Sequence, residues 1–63
     1  MEKYIVVHEE YGVVLNHYTY EVESFDELST RIAKDFPWAI QDTENKNYWE
    51  DQFGWSLWTY STK

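Results

Sequence analysis

Hydrophobic and polar positions alternate along the first third of the chain as they do in strands. Tyr4-Ile5-Val6-Val7-His8 is a β-branched run that predicts a first strand. Glu9-Glu10-Tyr11-Gly12 follows, and Gly12 can take the positive φ of a tight hairpin turn. From Val13 to Val22 the period of two sets Val14, Asn16, Tyr18, Tyr20 and Val22 on one face, and Val13, Leu15, His17, Thr19 and Glu21 on the other. Two strands joined this closely pair antiparallel. In that hairpin His8 is expected opposite Leu15 and His17 opposite Ile5 or Val6.

At Ser24 the rhythm changes to that of a helix. Ser24-Phe25-Asp26-Glu27 is a capping box, in which the Ser24 hydroxyl accepts from the Glu27 amide and the Glu27 carboxylate reaches back to the Ser24 amide. Asp26 and Glu27 also complement the helix dipole in the first turn. Phe25, Leu28, Ile32 and Phe36 recur on one side, leaving Asp26, Thr30, Lys34 and Asp35 outward. Pro37 disfavours the α conformation at Phe36, so the helix is predicted over 24–36.

The last third is less regular. Trp38 to Gln41 suits a short third strand, and 42–47 is polar and turn-like. Tyr48 to Phe53 fits either a short helix closed by Gly54 or a strand of a second hairpin. Trp55 to Tyr60 alternates as a terminal strand, with Trp55 and Leu57 on one face and Trp58 and Tyr60 on the other. The expectation is one α+β domain over 1–63: a small antiparallel sheet of three to four strands with one helix on one face, in the order β-β-α-(β)-x-β. Only one apolar face of the terminal strand can lie under that helix. The other must be covered by 42–54, by a second copy or by a partner.

Composition sharpens that surplus. The 63 residues include four Trp, six Tyr and three Phe, and the formal charge is −7. A domain this small buries only roughly 60% of the surface its unfolded chain exposes, so part of the aromatic area is expected outside among carboxylates. Cysteine is absent, which removes disulfides and thiolate metal sites. The apolar run after Lys3 is too short for a signal-peptide core or a membrane span, and the expected location is cytoplasmic. The acidic balance disfavours direct binding of nucleic acid or an anionic membrane, and favours a partner with a basic surface.

Catalytic chemistry finds little footing, and the chain is read as a non-enzyme. His8 and His17 lack metal-ligand spacing, and Asp42, Glu44 and Glu50 lack the glycine and the closing glutamate of a calcium loop. Ser24 is used as a cap. Gly12 and Gly54, the two glycines, build no phosphate-cradling loop. No metal or cofactor is expected. The residues expected to bind protein are Trp49, Phe53, Trp55, Trp58 and Tyr60, of types enriched at binding hot spots. Glu9, Glu10, Glu44, Glu50 and Asp51 are expected to supply negative charge beside them. A surface of this kind could imitate a nucleic-acid backbone and steer itself into a basic groove. In size, charge and want of catalytic groups the chain resembles the small inhibitors that phages make against host polymerases, nucleases or defence systems. The alternative is a self-assembling structural or accessory subunit, for example a homodimer, whose aromatic face is its oligomer interface.

Overall fold

The first hairpin forms from β1 (Glu2–Glu10) and β2 (Val13–Val22) in a computed structural model that describes residues 1–62; Lys63 lies outside the described residues. Its two-residue turn requires left-handed backbone at both central positions, and Tyr11 (φ 54°) and Gly12 (φ 80°) provide it. The ladder then slips by one residue. His8 stands opposite Asn16 but Glu9 stands opposite Val14, leaving Leu15 as the extra residue of a bulge.

That slip corrects two expectations. Val14 leaves the face of Asn16, Tyr18, Tyr20 and Val22 and joins Glu9 on the opposite one. His8 faces Asn16 rather than Leu15, and His17 faces Val7, so the imidazoles occupy adjacent rungs on opposite faces of the sheet.

Helix α1 (Phe25–Asp35) begins and ends within one residue of its predicted limits. Ser24, in extended conformation, accepts from the Glu27 amide at 3.2 Å. The Glu27 carboxylate reaches one residue further back than expected and accepts from the Glu23 amide at 2.7 Å. At the other end the Phe36 amide closes on the Ile32 carbonyl at 2.8 Å before Pro37 stops the helix.

The remaining strands are β3 (Ile40–Gln41), β4 (Tyr48–Glu50) and β5 (Trp55–Ser61). They bring the sheet to five antiparallel strands in the order β2-β1-β5-β4-β3, more than the three to four expected. The extra strand is β4, which settles the ambiguous segment as one arm of a second hairpin. Its turn is made by Asp51, whose Oδ1 accepts from the Phe53 and Trp55 amides at 2.8 and 3.0 Å. Gly54 (φ 93°) passes under the Tyr11 ring, and its carbonyl accepts from the Tyr11 amide at 3.0 Å, tying the two hairpin tips together.

Strand parity decides what is buried. Val6, Tyr20, Val22, Trp49, Leu57 and Thr59 share one sheet face by register, and they are buried together with Leu28, Ile32 and Phe36 of the helical segment. Rings extend this core towards both ends of α1. Phe25 meets Tyr4 and Trp49 at one end, while Phe36 meets Tyr18 and Trp38 at the other, with centroids 5.4–6.3 Å apart. In the C-terminal half of α1, Arg31 lies over the Tyr20 ring at 5.1 Å. The Tyr20 hydroxyl donates to Asp35 at 2.7 Å.

Candidate functional site

The helix covers one side of the sheet, and segment 42–54 does not fold over the other. By register the uncovered face holds Ile5 and Val7 of β1, Trp58 and Tyr60 of β5, and Tyr48 of β4. These residues line up in rungs across the strands. One rung runs Tyr48, Trp58, Val7, His17, and the next runs Tyr60, Ile5, Thr19. Ile5, Val7, Tyr48 and Trp58 are half-buried by one another, and Tyr60 is 56% exposed. Tyr48 and Trp58 stack obliquely with centroids 4.2 Å apart. Such a face of an antiparallel sheet is ordinarily polar when water is its only neighbour.

On the far side of the Tyr48–Trp58 rung lies an acidic one, Glu50, Ser56, Glu9, Val14. The Tyr48 hydroxyl donates to Glu50 Oε2 at 3.0 Å. Partial burial pushes the Tyr48 phenol above its ordinary pKa, and the Glu50 hydrogen bond and the charges of Glu50 and Glu9 push it further, against a smaller lowering from Ser56. Two carboxylates therefore bear on the edge of the aromatic patch.

The ten residues named from sequence divide among several environments. Trp58, Tyr60, Glu9 and Glu50 come together on the uncovered face. Trp49 is 2% exposed and fills the core under the helix. Trp55 is on the helix side, edge-on to Trp38 at 5.4 Å. Phe53 is exposed at the second hairpin tip, and Glu44 is exposed in the loop before β4. Asp51 is the acceptor that builds the turn. Glu10 turns to the helix side, where its carboxylate lies 3.3 Å from His8 Nε2. His8 itself is enclosed by the rings of Phe36, Trp38 and Trp55.

Sequence reasoning did not single out Ile5, Val7 and Tyr48 as surface-forming residues. Their period of two was visible, but only the pairing of β1 with β5 and of β5 with β4 joins them to Trp58 and Tyr60. Among the described residues no three His, Asp or Glu side chains converge as a metal site. No helix among them is long and apolar enough to cross a membrane. No protein-family model, curated protein or solved structure matches the chain at a significant level.

Proposed function

We propose that this protein is a non-catalytic acidic binding module that docks its uncovered sheet face on a basic, partly apolar surface of another protein. One observation carries this reading: Ile5, Val7, Trp58 and Tyr60 form a contiguous apolar face bordered by Glu9 and Glu50, and no element among the described residues covers it. Rings would supply the buried centre of the interface, and carboxylates its rim and its steering. A partner that uses a basic groove to hold nucleic acid would be blocked by this occupancy, which is how the module would act as an inhibitor.

Charge favours a cationic partner on this face over a second copy. Stacking two such faces would oppose Glu9 and Glu50 to like charges in a pair of chains that each carry −7. The test is capture from nuclease-treated lysate with graded salt, repeated with Trp58→Ala and Glu9→Lys/Glu50→Lys chains. The expected result is one basic protein, released steeply as salt rises and lost with both variants. Capture that survives both variants would remove this face from the interaction.

A further inference from the structure

The two edges of the sheet differ. One ends in β3, two residues long, and the other in β2, ten residues long with no strand on its outer side among the described residues. Long edges are usually blunted by Lys, Pro, bulges or covering loops. In β2 the bulge lies at Leu15, next to the turn, and the run from Asn16 to Val22 contains no Lys, Pro or Gly. It is Asn-His-Tyr-Thr-Tyr-Glu-Val, rich in strand formers with a single formal charge.

Alternate residues of an antiparallel strand direct their backbone groups to opposite sides. Two contacts identify which residues of β2 face outward. The His17 N–H is met by its neighbour's Asn16 Oδ1 at 2.8 Å, and the Glu21 carbonyl accepts from Arg31 Nη1 at 3.3 Å. His17, Thr19 and Glu21 therefore present the outer N–H and C=O groups. Thr19, between the two, has no side chain capping it among the described residues.

We infer that this edge is a homodimer seam, in which two copies pair β2 antiparallel about Thr19 and join two five-stranded sheets into one. In that register Thr19 meets Thr19 of the second copy, and His17 meets Glu21 of the second copy twice. The Thr19 N–H and C=O, the His17 carbonyl and the Glu21 N–H gain partners, and the His17 N–H and Glu21 carbonyl exchange their caps, Asn16 Oδ1 and Arg31 Nη1, for each other. Of the registers centred on an outward-facing residue, the other two are poorer. Centring on Glu21 opposes the two carboxylates, and centring on His17 runs into the Leu15 bulge. The self-complementary His17–Glu21 pairing, on a stretch with a single formal charge, selects a second copy as the occupant. Both uncovered faces then lie on the same side of the joined sheet, so the seam leaves the proposed docking face free.

The experiment is the solution mass of the full chain, by light scattering and sedimentation over a wide concentration range. The expected result is a dimer. Thr19→Pro removes one outward N–H without touching the β1 ladder, and is expected to give a monomer with an unchanged circular dichroism spectrum. A charge pair keeps the test sharp if that variant misfolds. His17→Glu and Glu21→Lys are each expected to be monomeric, and their equimolar mixture to recover the dimer. Any of three results overturns the seam: a monomeric wild-type chain at every concentration, a dimer unaffected by all these edge variants, or a dimer abolished by Trp58→Ala and Tyr60→Ala instead.

Discussion

Within β5, Leu57 and Thr59 are buried beneath the helix, whereas Trp58 and Tyr60, displaced by one residue along the same strand, face out on the bare side of the sheet. The more hydrophobic bulk is on the outside. An eleven-residue helix can cover only one face of a five-stranded sheet, so Tyr20, Phe36 and Trp49 are buried with Val6, Leu28, Ile32 and Leu57, while Tyr48, Trp58 and Tyr60 are left on the other face. A ring's type alone is therefore a poor guide to which face it serves. The covered face holds the fold together, and the bare one is available for contact.

The contrast breaks most visibly by truncation. Leu57→Ala removes a side chain with no exposed surface and is expected to cost about 2–5 kcal/mol. Tyr60→Ala, one face over, is expected to change stability by only about 0.5 kcal/mol. Chemical denaturation of the two variants measures this directly, and equal losses would mean that the bare face belongs to the core after all.

A second test compares the two hairpin tips. A Cβ at Gly54 would meet Tyr11 Cδ1 at 3.1 Å in a backbone already at positive φ, whereas a Cβ at Gly12 meets nothing within 4 Å. Gly54→Ala is accordingly expected to lose roughly 1–3 kcal/mol, and Gly12→Ala about 1 kcal/mol. Melting curves of both chains would rank them, and the reverse order would remove the clasp between the tips from the account.

The smallest effect is confined to alkaline pH. Burial first, and then the hydrogen bond to Asp35, raise the Tyr20 phenol well above its ordinary pKa of 10.0. Below that ordinary value the folded and unfolded chains both keep the proton, so the stabilisation is complete. Above it the unfolded chain releases the proton while the folded chain retains it, and stability falls until the folded value is passed. Urea unfolding from about pH 8 to pH 11 is expected to show this decline, and Tyr20→Phe is expected to reduce it, leaving the part contributed by the raised Tyr4 and Tyr48 phenols.

Legibility in the sequence followed the range of the forces. The helix was readable because Ser24, Glu27 and Pro37 act within a turn of where they stand, and the first turn because Gly12 marks it. The β2 bulge was not readable. A one-residue slip leaves no compositional trace, yet it moved Val14 to the other face. Segment 48–53 stayed ambiguous because Trp49 and Phe53 lie at helical spacing, while the strand, Tyr48 to Glu50, is too short to display a period of two. The turn bonds of Asp51 and the ladder to β5 decide between them. For the same reason Trp49 and Trp58 looked equally suited to an interface. Their opposite placement depends on a register that neither residue carries locally.

The pairing of β1 with β5 carries one more consequence. The strands at the centre of the sheet are those farthest apart in the chain, and the Thr62 amide still reaches the Lys3 carbonyl at 2.9 Å. During synthesis the first hairpin and the helix can form early, but β1 must wait with its inner edge bare until residues 55–61 emerge. Closing that gap is the costly entropic step of folding. A chain lacking residues 55–61 would therefore hold a sheet divided through its middle, with the first hairpin and the β3–β4 pair left unjoined.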